Sequence, residues 1–386
     1  MAIELVVGAA QHEQAVAFMG EGHFPALVRQ GGRFTIYLYT TLPRDELERW
    51  GAAAWTVQAV NAGQRRACPT LKLSAVSGQR NVVRLRVKAP ADLARDVYDL
   101  TVVGPGIHDT QPNAVRVHGR AERKRSFRFA VVADHQLWDP SYKVGHRQIN
   151  SGAYPERDAR HENLGIARQG LAELALLDPD FVVHLGDLLF GINYPEEYDQ
   201  AYGLLQRARL PLFAVPGNHD AYATYVVRLK QGAVTMLAGA LSCRQHLSRD
   251  LSWRKAWRFI TCVYGDVKQH LYADLHRDGL VYWRRQLGPT AYSFDHGWLH
   301  FVAINTYDGS PQRRHSFSIY VDVMDLHLGA PAVDNYGGYL TDAQLDHVRQ
   351  HARLAHQRGQ TLVVLGHHDP RGNASGSRYH PNQAFP

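Results

Sequence analysis

Four short apolar runs in this chain end in residues that could do chemistry. FRFAVVAD closes on Asp134, followed by His135 and Gln136, and DFVVHLGD closes on Gly186-Asp187. PLFAVPGNHD closes on Gly217-Asn218-His219-Asp220, and TLVVLG runs into Gly366-His367-His368-Asp369-Pro370. Carboxylate, amide and imidazole groups are the oxygen and nitrogen donors that hold divalent cations and move protons. A lone Asp at a strand end is most often a turn or helix-cap residue. Four such ends in succession are much harder to assign to turns alone.

The elements that must position these ends read as an α/β core. From Phe127 onward, compact apolar strands alternate with helical stretches at about 163–177 and 196–208. In open α/β folds, the loops beyond the carboxyl ends of the strands carry the site. AYSFDHGWLHFVAIN (291–305) reads as a hairpin with Asp295-His296-Gly297 as its turn. Residues 341–357 read as an amphipathic helix with Thr341 as N-cap, and 361–366 as a last buried strand. Residues 221–290 read as a helical insertion in which Arg228, Lys230, Arg249 and Arg254 interleave with Tyr225, Trp253 and Trp257.

Residues 1–117 have a different rhythm. Phe34, Ile36 and Leu38 alternate with Thr35, Tyr37 and Tyr39, and Val83, Leu85 and Val87 alternate with arginines and lysine. A period of two marks half-buried antiparallel strands, so an all-β sandwich (Ig-like) accessory domain is expected over 1–117. The basic run HGRAERKRS (118–126) then reads as a linker to a second domain at 127–386.

The ordered strand ends resemble the calcineurin-like metallophosphoesterase superfamily, whose pattern runs D-x-H, G-D, G-N-H-[DE], H, then G-H-x-H. The match rests on Asp134-His135-Gln136, Gly186-Asp187, Gly217-Asn218-His219-Asp220 and the His367/His368 pair, over about 127–370. The resemblance implies an α/β metallophosphoesterase core, a β-sandwich flanked by helices. It also implies a hydrolase acting on phosphomonoesters or phosphodiesters through two divalent metal ions. Asp187 would bridge the ions, Asp134 with Gln136 would hold the first, and Asn218 with a late histidine the second. His219 would stabilise or protonate the leaving oxygen. The family histidine commonly stands two residues before a proline, which favours His368, although His367 directly follows the strand and could serve instead.

Two departures from the family pattern, and one comparison beside it, shape the expectation. Gln136 stands where a histidine is usual, exchanging an imidazole for an amide oxygen and favouring Mn, Fe or Mg over Zn. No G-H-x-H follows position 368, and His380 is the sole histidine after it, so the catalytic unit reads as incomplete and its metals as weakly held. Purple acid phosphatases also place an all-β module before such a core, but their iron-binding tyrosine position is Phe190 here, which excludes a tyrosinate. His135 reads as out of phase with the ligands, His300 as structural, and His161, His184, His315 and His327 as lacking a partner at ligand spacing.

Composition narrows the alternatives. Apolar residues are 45% and charged residues 20%, which excludes wholesale disorder. No run reaches the roughly 18 apolar residues of a membrane span, and the N-terminus lacks a basic n-region, so a cytoplasmic protein without membrane contact is expected. Three cysteines, none in a CxxC pair, argue against a disulfide framework or a cysteine zinc site. The net charge of +7 motivates a nuclease as one alternative to a phosphatase. A degenerate core that binds phosphate or a partner without turnover is the other.

Overall fold

The structure is a computed structural model. It describes residues 4–8, 25–39, 52–61, 66–79, 82–104, 107–119, 126–137, 143–144, 147–148, 159–191, 194–229, 271–309, 311, 314–321, 326–330, 338 and 340–368. Eight strands precede the linker: β1 (Glu4–Gly8), β2 (Ala26–Arg29), β3 (Arg33–Tyr39), β4 (Thr56–Asn61), β5 (Arg66–Gln79), β6 (Val82–Lys88), β7 (Val97–Gly104) and β8 (Ile107–His118). They are hydrogen-bonded in the order β1-β3-β6-β5-β4-β7-β8-β2.

The alternation expected at Phe34/Ile36 and Val83/Leu85/Val87 is what puts these side chains inside, with Ile36 opposite Leu85 in the antiparallel register. The fourteen-residue β5 connects the two halves of the sheet. Its first part pairs with β4 (Leu71 opposite Val57) and its second with β6 (Leu73 opposite Val87). Apolar residues of β3 and β6 thereby share one core with Val57, Leu100, Val102 and Val117. The expected all-β character is present, and the described strands follow one another in a single eight-stranded ladder order.

The second part opens with β9 (Phe129–Val132), followed by the short β10 (Lys143–Val144) and β11 (Arg147–Gln148). Helix α1 (Ala159–Leu176), strand β12 (Phe181–His184), helix α2 (Tyr194–Ala208), strand β13 (Leu212–Ala214) and the one-turn α3 (Asn218–Ala221) come next. β14 (Ala223–Leu229), β15 (Leu271–Asp278), α4 (Gly279–Gln286) and the hairpin β16 (Tyr292–His296)/β17 (Leu299–Ala303) lead to β18 (His315–Val321) and β19 (Leu326–Ala330). Helix α5 (Asp342–Gln357) and strand β20 (Thr361–Leu365) complete the described elements.

β13-β12-β9 form a parallel sheet, and β16-β17-β20 a mixed one. Between them Phe181, Phe213, Phe294 and Phe301 pack as an aromatic layer, with Phe213 stacked on Phe294 at 3.9 Å between ring centroids. The far face of the first sheet buries Val182 and Leu212 against Leu171 of α1 and Leu204 of α2, while Val302 of the second packs with Leu345 of α5. The result is helix, sheet, sheet, helix. Thr341 caps α5 as expected, accepting from the Gln344 amide, and Gly297 turns the hairpin at φ +60.

Residues 221–290 depart from expectation. Their described ends are strands, not helices: β14 and β15 pair antiparallel, β18 joins β14 in parallel, and α4 alone is helical. Thr224, Tyr225, Val226 and Val227 are β-branched or aromatic and favour a pleated strand over the helical stretches expected there. Residues 230–270, including Arg249, Trp253, Arg254 and Trp257, lie outside the described residues, as do linker positions 120–125 and the stretch 369–386 with Asp369, Pro370 and His380. No described helix is long and apolar enough to cross a membrane.

Candidate metal centre

The site forms where β9 and β12 run on, side by side, past their carboxyl ends. The Leu185 amide donates to Val132 (2.7 Å), Asp134 to the Gly186 carbonyl (3.0 Å), Gln136 to that of Asp187 (2.9 Å) and Leu137 to that of Leu188 (2.8 Å). Within this ladder Asp134, Gln136 and Asp187 all take left-handed backbone angles, with φ of 58, 44 and 54. L-residues enter that region rarely, and such strain concentrates at functional sites.

Asp187 is the hub. Its Oδ1 accepts from the His219 amide at 3.0 Å and lies 3.4 Å from His367 Nε2; its Oδ2 accepts from Gln136 Nε2 at 3.3 Å. Burial pushes its carboxyl up, but His367 and His219 outweigh this and hold it below the usual carboxylate range. Two glycines permit the approach. A Cβ on Gly217 would stand 2.1 Å from Asp187 Oδ1, and one on Gly186 would meet Gly217 at 2.7 Å and His367 Nδ1 at 2.8 Å. Asp220, fully buried, accepts from the amides of Gly217 (2.9 Å), Leu189 (2.9 Å) and Leu188 (3.3 Å), joining the two loops. Burial, then the neighbouring Asp187 charge, lifts its carboxyl to about 6.

The two late histidines part company. His367 Nδ1 donates to the Leu185 carbonyl at 2.8 Å, so its Nε2 faces Asp187. Burial lowers its basicity, yet the Asp187 carboxylate overcomes that and raises it to about 9. Donor atoms of Asp134, Asp187 and His367 lie within 4.8 Å of one another. His368, which the proline spacing favours, instead places Nδ1 2.8 Å from Thr306 Oγ1, and its Nε2 is buried with no hydrogen-bond partner. Burial, with His367 adding to it, lowers His368 to about 4. The structure therefore brings His367 into the carboxylate group and sets His368 beside it.

Asn218 is buried and gives its Nδ2–H to Tyr222 Oη at 2.8 Å, which fixes the amide plane. His219 gives Nδ1–H to the Phe190 carbonyl at 2.7 Å and turns Nε2 toward Asp187 Oδ2 at 3.9 Å. His184 is not the isolated histidine its spacing suggests. It is fully buried, and its Nε2 lies 2.8 Å from Nδ1 of His135, beneath the Asp134 loop. His300 is structural as expected, between Asp295 (2.5 Å) and His351 (2.9 Å). Tyr222 and Thr306 carried no sequence signal, because their roles depend on contacts with distant or turn-displaced partners.

The donors fit a divalent metal. Two carboxylates and an imidazole converge, the imidazole is oriented through its far nitrogen by a backbone carbonyl, as metal-ligating histidines commonly are, and a second buried imidazole nitrogen nearby has no acceptor or donor. A family model for calcineurin-like phosphoesterases matches residues 127–385, and the chain belongs to that family. Its members use divalent metals, and membership implies metal-dependent phosphoester hydrolysis.

No curated protein matches the chain. Among solved structures, the M1 domain from titin is 15% identical, covering 25% of this chain and 89% of that one, with a TM-score of 0.15. Amylomaltase from Corynebacterium glutamicum is 12% identical, covering 42% of this chain and 21% of that one, with a TM-score of 0.17. Neither score indicates a shared fold.

Proposed function

We propose that the chain hydrolyses phosphomonoesters or phosphodiesters at a dinuclear metal centre. One observation carries the reading: Asp134, Asp187 and His367 converge at the carboxyl ends of parallel strands with the His219 ring beside them. In this reading Asp187 is shared by the two ions, Asp134, Gln136, Asn218 and His367 supply further ligands, and His368 is an additional imidazole. Bound divalent ions supply Lewis acidity toward the phosphoryl group and hydroxide near neutral pH. The oxygen-rich set favours Mn, Mg or Fe over Zn.

With Nδ1–H committed to Phe190, Nε2 of His219 is the atom that delivers a proton to the leaving oxygen. Residues 1–117 act as an accessory β-sandwich, joined through 118–126 to the catalytic domain at 127–386. Their separate buried core supports that division. The test is turnover of an aryl phosphate and an aryl phosphodiester by the Mn²⁺-loaded chain.

A second reading, a phosphate-binding protein without turnover, draws support from Gln136. Its Nε2–H donates to Asp187 Oδ2 at 3.3 Å, so the NH₂ end of the amide, not its oxygen, is turned toward the carboxylate. Phosphate binding by a metal-loaded chain that hydrolyses neither aryl ester would select it. A nuclease reading rests on the +7 charge and the basic, aromatic residues of 221–290. Salt-dependent binding to single-stranded DNA tests it.

A further inference from the structure

Away from Asp187, the N-terminal sheet meets α1 and α2 around a cavity of about 460 Å³. Arg116 of β8 lines one side, with Asp96 from the turn before β7; Arg168 of α1, Arg207 of α2 and Arg209 just beyond it line the other. Leu171, Leu204 and Leu210, all buried, form an apolar wall.

The charge is unbalanced. Arg116 pairs with Asp178 at 2.6 Å and Arg209 with Asp96 at 3.3 Å, so both acids of the cavity are engaged. Arg168 and Arg207 have no carboxylate partner among the described residues. Four guanidinium groups against two carboxylates leave the lining with a net positive charge, which suits an oxyanion. Guanidinium forks match phosphate oxygens, and two uncompensated cations match a dianion. The cavity lies in the size range of small-molecule sites and exceeds what inorganic phosphate fills.

We propose that this cavity binds a small organic phosphate, its oxyanion among Arg116, Arg168, Arg207 and Arg209 and its carbon skeleton on the leucine wall. The ligand bridges β8 to α1 and α2, alongside the existing link in which Asn113 Nδ2 donates to the Leu205 carbonyl at 2.9 Å. The site is separate from the Asp187 centre.

Isothermal titration calorimetry of the intact, chelator-treated chain with benzylphosphonate tests this, because the C–P bond is not a phosphoester. One site is expected that persists in Asp187→Asn, weakens tenfold or more in the double variant Arg168→Gln/Arg207→Gln, and is lost in Ala175→Trp, which fills the cavity. These three positions are exposed, and unchanged thermal denaturation checks that the variants fold. No binding by the unaltered chain, loss in Asp187→Asn, or unaltered affinity in the arginine double variant would overturn the proposal. Equal binding of phenylacetate would overturn the phosphate assignment, and equal binding of inorganic phosphate the role of the apolar wall.

Discussion

His219 and Phe190 are joined by a single hydrogen bond: the histidine donates Nδ1–H to the Phe190 carbonyl at 2.7 Å, and this sets its Nε2 toward Asp187. Phe190 therefore serves the site through its backbone, and its apolar side chain is no obstacle. The carbonyl takes Nδ1 and so fixes Nε2 as the imidazole nitrogen that faces Asp187.

From that relation, His219→Ala is expected to lower hydrolysis about 10²–10⁴-fold on substrates with poor leaving groups, the range general acid catalysis typically contributes. The loss should be smaller for nitrophenyl esters, with metal content retained. An equal loss across a leaving-group series would assign His219 a purely structural or ligand role.

Asp187→Asn is expected to reduce metal content and hydrolysis together, because the carboxylate is the point on which Gln136, His219 and His367 converge. Metal analysis of the purified variant decides this. Unchanged stoichiometry would overturn the proposal that two ions share Asp187.

His367→Ala and His368→Ala separate the two late histidines. The first should weaken Mn²⁺ binding by at least the 10–100-fold that loss of a supporting group costs, and the second by less. Calorimetric titration of both variants measures the difference, and a larger loss in His368→Ala would reverse the assignment.

Gly217→Ala is expected to disable the site while leaving most of the fold, because its Cβ would overlap Asp187 Oδ1. The affected atoms are a carboxylate and backbone, which cannot swing aside as the end of a long side chain can. Near-normal turnover in this variant would show that the loop relaxes.

Acid sensitivity is expected from His351. Burial, with His347, His300 and Arg358 adding to it against Asp295, lowers its pKa from 6.5 to about 4. The unfolded chain therefore binds more protons in this window. The stabilisation is fully present above pH 6.5 and lost as pH falls toward 4, with a slope of at most about 1.4 kcal/mol per pH unit. Urea denaturation at several pH values should show a flatter slope in His351→Gln; an identical slope would place the titrating group elsewhere.

The α/β core and its strand ends were legible because each apolar run stops at turn-forming polar residues, as at Gly186-Asp187 and Gly217-Asn218. Choosing between His367 and His368 was not. Adjacent residues leaving a strand point to different sides, and only the position of Thr306, 62 residues earlier, shows which imidazole is captured. His184 was hidden within the apolar run DFVVHLGD, where nothing local marks its contact with His135. The strands β14 and β15 were obscured because their pairing is long-range, joining residues separated by the whole of 230–270.

Asp220 has a consequence for the empty and filled forms of the centre alike. One buried carboxylate holds the amides of Leu188, Leu189 and Gly217, so the loops bearing Asp187 and Asn218 move as one piece. An arriving cation meets donors already spaced by folding, and the entropy of arranging them has been spent before it binds. Those three amide protons should therefore exchange slowly with solvent whether or not the centre is charged with metal, making them a built-in gauge of loop integrity that is independent of catalysis.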